Sequence, residues 1–143
     1  MSRWVWALGL IACASAPPPV VLGEVASIAG VRFAVPTGSI TAVTADAIRL
    51  REPGGHRSPW NLTLTALTAP PATDCPAHRL TSGRTVRACP REENGGGSGG
   101  VGYTREGWMR HGGAVFGFSF DQQAEWPAAP DDAVLWAVLD SAG

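Results

Sequence analysis

Glycine and proline interrupt this chain so often that only short helices and strands fit between them. Glycine accounts for 18 and proline for 12 of the 143 residues. Glycine loosens the backbone and proline removes a hydrogen-bond donor, so both tend to end regular elements. This density excludes a helical bundle and a coiled coil, and the length leaves room for one domain rather than for a multi-domain enzyme.

The charge balance limits the kinds of partner that the protein can bind. Eleven arginines, with no lysine, face twelve aspartates and glutamates, and the formal net charge is −1. A nucleic-acid partner or a polybasic membrane surface needs a clear excess of positive charge. We therefore expect neither. Hydrophobic residues make up 45% of the chain, which excludes disorder by composition.

The amino terminus has the order of a secretory signal. Arg3 precedes the apolar residues 4–12, which are too few to span a bilayer, since a span needs about 20 apolar residues. Two processing routes follow from the next residues. Residues 10–13 (Leu-Ile-Ala-Cys) resemble the lipobox of bacterial lipoproteins, in which the cysteine is lipidated and becomes the first mature residue. Residues 14–16 (Ala-Ser-Ala) alternatively allow cleavage after Ala16, which would release a soluble protein.

The cysteines favour the lipoprotein route. Lipidation of Cys13 leaves Cys75 and Cys89 as an even pair, which an exported domain can oxidise to a disulfide. Ala14 directly after the lipidated residue is compatible with sorting to the outer membrane rather than the inner. We expect a signal peptide at 1–12, a lipidated tether at 13–29 that contains three stiff prolines at 17–19, and one domain at 30–143.

Alternation of apolar and polar residues predicts a series of strands. Pairs of glycines or prolines separate several of them, and the pair Gly112 and Gly113 is a strong signal for a tight hairpin turn. After this turn Phe116, Phe118 and Phe120 share one face, which favours a place in the core. The predicted strands cover residues 30–36, at least 48–51 of the segment 40–51, 61–67, 85–89, 101–111 and 114–122.

The carboxyl end predicts a short helix. Asp131 and Asp132 stand where an N-cap and a first turn favour negative charge, and Leu135, Val138 and Leu139 share a helical face that can pack on a sheet. The predicted fold class is therefore α+β: a mainly antiparallel β-sheet or sandwich with a short C-terminal helix and one disulfide.

No catalytic motif in the sequence stands in the context that its mechanism requires. Residues 96–100 match the nucleophile pattern G-x-S-x-G around Ser98, but that mechanism needs a strand before the serine, a helix after it and a later histidine. His56, His78 and His111 have no zinc-type spacing. The glycine-rich tract at 92–100 predicts a loop without regular structure. We expect no enzyme activity, no metal and no cofactor.

From about residue 30 onward the order of features resembles one family. The residues that carry the resemblance are 97–100 (Gly-Ser-Gly-Gly) followed by Tyr103, the aromatic hairpin, 122–125 (Gln-Gln-Ala-Glu) and 135–141 (Leu-Trp-Ala-Val-Leu-Asp-Ser). It resembles the small periplasmic immunity lipoproteins that protect bacteria against a muramidase effector of the type VI secretion system. The resemblance implies that the protein performs no reaction, that it occludes the groove of a secreted peptidoglycan hydrolase in the periplasm, and that acidic residues lie at this interface.

Loops held by a rigid, disulfide-linked sheet suit such a role, because loops reach into a cleft while the sheet fixes them. Tyrosine, tryptophan and arginine are the usual energetic anchors of protein interfaces. We predict the loop at 92–100 and the loop at 56–60 as the binding surface, with five partner-binding residues: Glu92, Glu93, Ser98, Tyr103 and Trp60.

Two other functions fit the same features. Inhibitor lipoproteins of host lysozyme share a disulfide, a small sheet and a Ser-Gly-x-x-Tyr-like loop, which residues 98–103 match only with one extra residue. A structural lipoprotein of the envelope that binds no enzyme is the second alternative.

Overall fold

The fold is built on a long antiparallel hairpin in the second half of the chain. The computed structural model describes residues 19–52, 60–97, 100–125 and 129–143. Residues 1–12, Cys13, Ala16, the loop at 56–59 and Ser98 lie outside the described residues. The elements are, in chain order, β1 (Leu22–Ile28), β2 (Val31–Pro36), β3 (Ile40–Val43), β4 (Ala47–Arg51), β5 (Trp60–Leu67), β6 (Ala77–Arg79), β7 (Thr85–Ala88), β8 (Glu92–Gly97), β9 (Gly100–His111), β10 (Ala114–Glu125) and α1 (Ala133–Asp140).

The turn between β9 and β10 is the one that the glycine pair predicts. Gly112 and Gly113 have φ angles of 56° and 81°, which residues other than glycine rarely adopt. The two strands pair without a break from Ala114 opposite His111 to Glu125 opposite Gly100. Each has 12 residues, so these two elements are longer than the breaker density suggests.

All other strands of the main sheet are joined to this hairpin, either directly or through a neighbouring strand. The eight-stranded sheet has the order β3-β4-β5-β10-β9-β7-β6, and β8 pairs with the same strand β9 as β7 does. All pairs are antiparallel. β1 and β2 form a separate two-stranded ribbon. The predicted α+β class, mainly antiparallel with a short C-terminal helix, is confirmed.

The ribbon and the helix cover one face of the main sheet, which we call the inner face. Phe33 of the ribbon meets Phe116 of β10 edge to face, with ring centroids 5.3 Å apart. The three predicted helix residues Leu135, Val138 and Leu139 are buried, and all belong to one cluster with the sheet residues. Phe118 and Phe120 are buried in the same cluster, so the aromatic face is core as predicted.

Two segments fold differently from the sequence prediction. Residues 22–28 fall in the predicted tether but form β1, with Ala26 and Ile28 buried in the core. The folded part therefore includes residues before 30. Residues 92–97, predicted as part of a loop, form β8, and the prediction of no regular structure is wrong there. Pairing with β9 supplies the backbone hydrogen bonds, and Gly95 with φ 51° lies at a register shift between Asn94 and Gly96.

Gly107 in the middle of β9 has a packing role. A Cβ atom at this position would overlap the carbonyl oxygen of Arg87 on β7 and the ring of Phe118 on β10. The bare backbone lets the aromatic ring lie over β9, at the place where β7 also pairs with it. Glycine here is required by close approach and not by a turn.

Helix α1 depends on its docking, because eight residues are too few to be stable alone. The Arg84 guanidinium donates to the carbonyls of Leu139, Asp140 and Ala142 at 2.8–3.2 Å, so it satisfies groups that the helix end leaves free. Beyond the helix, Gly143 and Arg32 of β2 exchange two backbone hydrogen bonds of 2.9 Å. No helix in the described part of the chain is long and apolar enough to cross a membrane.

The predicted disulfide is present. Cys75 and Cys89 are bonded across a sequence separation of 14, with their Cα atoms 4.5 Å apart. The bridge closes the excursion that contains β6 and β7. In the unfolded chain it removes loop-closure entropy, which is the basis of its stabilising effect.

We expect the double variant Cys75→Ser, Cys89→Ser to lose about 3 kcal/mol in free energy of unfolding, the value for a closed loop of roughly 15 residues. Urea denaturation of both proteins measures it. A reducing agent should lower the denaturation midpoint of the unchanged protein to that of the double variant. It should not change the midpoint of the double variant. Equal midpoints for the two oxidised proteins would contradict the expectation.

Candidate functional site

Strand register brings three of the residues selected by sequence into one row. Glu93 of β8 lies opposite Tyr103 of β9, Tyr103 opposite Gln122 of β10, and Gln122 opposite Trp60 of β5. Directly opposed residues have their side chains on the same face of a sheet. The row therefore runs across four strands on the inner face, at the end of the sheet where β8 joins β9.

A second row crosses the same strands on the outer face. Glu92 lies opposite Thr104, Thr104 opposite Asp121, and Asp121 opposite Asn61. Its side chains are linked by hydrogen bonds: Asn94 Nδ2 donates to Thr104 Oγ1, which donates to Asp121 Oδ1 at 2.6 Å. This chain of bonds holds β8 against the sheet although β8 is rich in glycine.

The two rows define a surface that we call the polar end. Its exposed side chains include the three acids Glu92, Glu93 and Asp121 and the two amides Asn61 and Asn94. A cavity of about 370 Å³ opens there. Most of the residues that line it have polar side chains: Asn61, Asn94, Gly102, Tyr103, Asp121, Gln122 and Gln123. The arrangement offers carboxylate and amide groups to a partner.

The predicted residues differ in how far they are available. Glu92 and Glu93 are exposed, whereas Tyr103 and Trp60 are half-buried. The Trp60 ring lies 6.2 Å from that of Phe120 and packs against the core cluster. Trp60 therefore has a packing role in addition to any role at the surface. Ser98 and residues 56–59 lie outside the described residues, and these parts of the predicted binding surface stay predictions.

A buried ion-pair cluster lies directly behind the polar end. Asp132 is 6% exposed and accepts hydrogen bonds from Arg91 and Arg105, both at 2.6 Å on Oδ2. Gln122, from the inner-face row, donates to Oδ1 at 3.0 Å. Because Arg91 immediately precedes β8, the cluster fixes the strand that carries Glu92 and Glu93.

This cluster corrects the predicted role of Asp132. The residue occupies the N-cap position, but its side chain makes no capping hydrogen bond. The neighbouring Asp131 instead accepts from the backbone N–H of Ala133 at 2.9 Å. The carboxylate of Asp132 faces two guanidinium groups, and these charged hydrogen bonds are stronger than one to a neutral backbone N–H.

Trp136 of α1 completes the cluster. It stacks on the imidazole of His78, with ring centroids 4.0 Å apart, and the Arg105 guanidinium lies 5.2 Å from its ring. Arg105 therefore contacts both a carboxylate and an aromatic ring of the carboxyl-terminal region. In the described part of the chain no group of three or more His, Cys, Asp or Glu side chains is arranged to hold a metal ion.

We expect Asp132→Asn to lower the free energy of unfolding by about 3 kcal/mol, because it leaves the charges of Arg91 and Arg105 without their counter-ion. Thermal or urea unfolding measures the loss. Asp131→Asn is the matched control, since it removes the same charge from an exposed neighbour. Equal losses in the two variants would show that the buried cluster does not stabilise the fold.

Comparison with known proteins identifies the family. A family model described as the type six secretion immunity 3 domain matches residues 32–143. A crystal structure from Bacteroides thetaiotaomicron VPI-5482 has a similar fold, with a TM-score of 0.54 and 6% sequence identity. The match covers 79% of this chain and 44% of the other, so this chain spans less than half the length of that protein. No match was found among curated proteins. Because the family model covers most of the chain, including the polar end and the ion-pair cluster, the protein belongs to the type six secretion immunity 3 domain family.

Proposed function

We propose that this protein is a periplasmic lipoprotein that occludes the substrate groove of a muramidase effector and thereby protects its own cell. The family match over residues 32–143 carries the proposal, since it gives the chain a type VI secretion immunity role and a cognate effector as partner. The muramidase activity of that effector, the compartment and the lipid anchor go beyond the match. In this proposal the chain acts by binding and performs no reaction.

The compartment is inferred from the leader and the cysteines. Residues 10–13 resemble a lipobox, so lipidation of Cys13 is proposed, and Ala14 after it favours the outer membrane. The disulfide between Cys75 and Cys89 agrees with an oxidising compartment such as the periplasm. An effector that cleaves peptidoglycan acts in that same compartment.

The polar end is the proposed contact surface. A groove that binds glycans is lined by hydrogen-bond donors and acceptors, and the exposed carboxylates of Glu92, Glu93 and Asp121 supply acceptors for such donors. Asp132 and its arginines hold β8 in place before any partner binds. Less conformational entropy is then lost on binding, which favours affinity. Tyr103 and Trp60 remain in the proposal as further contacts at the same end of the sheet, and Ser98 remains as a contact predicted from the sequence.

The product of a neighbouring effector gene provides the direct test of function. We expect cells that export this effector to the periplasm to lyse, to survive when the full chain is expressed with it, and to lyse when residues 1–12 are deleted. The purified pair should co-elute, and release of soluble muropeptides from peptidoglycan should stop at equimolar inhibitor. A lysozyme of host type is the control enzyme and should keep its activity.

The outcomes separate the parts of the proposal. Protection without any glycosidase activity of the effector would retain immunity and reject the muramidase target. Inhibition of the host-type lysozyme would favour the alternative function of a lysozyme inhibitor. Lysis that continues in the presence of the exported full chain would reject immunity to that effector.

We expect Glu92→Arg combined with Glu93→Arg to weaken effector binding about tenfold or more, which corresponds to roughly 1.4 kcal/mol. Both side chains are exposed, so the free energy of unfolding should change little. Calorimetric titration measures the affinity. The matched control reverses two exposed acids outside the polar end, Glu24 and Asp46, with the same change in net charge. Equal affinities for both double variants would show that β8 is not part of the interface.

A further inference from the structure

Large hydrophobic side chains are exposed at one edge of the fold. Among the described residues they are Val21, Val25, Ile40 and Val43, each 45–64% exposed. Val21 and Val25 belong to β1 or directly precede it, and the other two belong to β3, which lies against β1. Single exposed apolar residues are ordinary, but here all four lie on the edge strand β3, or on or directly before the neighbouring β1. Ile40 and Val43 extend to opposite faces of β3, because they stand opposite Arg51 and Ile48 of β4. We call this surface the β1–β3 edge.

Two arginines lie beside Ile40, on the outer face of the sheet. Arg49 of β4 is opposite Ala42 of β3, and Arg51 is opposite Ile40. Both are exposed, and neither forms an ion pair with another described residue. With Ile40 and Ala42 they line a depression of about 340 Å³. Aliphatic side chains next to guanidinium groups match the interface of a bilayer, where acyl chains meet phosphates.

The chain enters the fold at this same edge. Cys13 precedes Pro19, the first described residue, by six positions, and Val21 follows two residues later. Six residues reach at most about 20 Å, even when fully extended. A lipid on Cys13 would therefore keep the β1–β3 edge within about that distance of the membrane.

β8, the strand of the polar end that carries Glu92 and Glu93, lies at the far side of the sheet. From β3 the order β4, β5, β10, β9 and β8 gives five steps between neighbouring strands. At about 4.8 Å a step, β8 is separated from β3 by roughly 24 Å. An edge that rests on the membrane would thus leave Glu92 and Glu93 facing the periplasm.

We propose that the β1–β3 edge lies against the lipid bilayer and orients the domain so that β8 faces away from the membrane. The inference rests on the proposed anchoring through Cys13. Glu24 and Asp46 near the same strands offset the two arginines, so the edge alone binds lipid weakly. The anchor supplies the affinity, and the edge, held at high local concentration, selects the orientation.

The test uses the full lipidated chain in vesicles of phosphatidylethanolamine and phosphatidylglycerol. An environment-sensitive fluorophore is attached to Val43→Cys or, as the matched control, to Thr85→Cys on β7 at the opposite side of the sheet. Both positions are exposed, and the oxidised Cys75 and Cys89 do not react. We expect a blue-shifted emission at position 43, strong quenching by nitroxide lipids and weak quenching by iodide in water. The control should show the reverse.

Each other outcome overturns the orientation. Equal exposure of both positions to water means that the domain has no preferred side. Protection from iodide at position 43 without quenching by nitroxide lipids means that a second protein copy covers β3. Replacing Arg49 and Arg51 by glutamine should reduce nitroxide quenching at position 43. Failure of the anchor itself is seen separately, since the protein would then be absent from the membrane fraction whether residue 13 is cysteine or serine.

Discussion

The register between β9 and β10 determines where every other part of the main sheet lies. A slip by one residue would transfer Phe116, Phe118 and Phe120 from the core to the solvent, so the pairing is strongly specified. β5 pairs with one side of this hairpin, and β7 and β8 pair with the other. The rows that form the polar end exist only in this register, because they combine residues from four strands. The hydrophobic alternation of one strand thus fixes a surface that is largely polar.

The sequence predicts those parts of the fold whose signals are local. Gly112 and Gly113 predict the turn, and the spacing of the phenylalanines predicts the buried face of β10. In the same way, Leu135, Val138 and Leu139 predict the buried face of α1. β8 has no such signal, because its glycines lack side chains and its stability comes from pairing with β9. β1 falls in the predicted tether, and its only buried residues are Ala26 and Ile28, so its apolar pattern is short.

The candidate site was predictable to a similar degree. Glu93 and Trp60 belong to predicted loops and Tyr103 to the strand that follows one of them, and strand register places all three in one row. The ion-pair cluster has no local signal: Arg91 and Arg105 are 41 and 27 residues from Asp132 in sequence. An aspartate before a helix is typical of an N-cap, and only the tertiary structure shows that this one faces two arginines. Sequence patterns therefore do not predict ion pairs between residues that are distant in the chain.

Gly107 has a consequence for how such proteins can diversify. In the proposed function, Glu92 and Glu93 contact the effector, and as exposed residues they can be replaced at little cost in folding. Gly107 cannot, because any mutation that adds even a methyl group collides with Arg87 and Phe118. Selection is then expected to retain this glycine through lineages whose recognition surfaces have diverged beyond alignment, which makes it a marker of common ancestry.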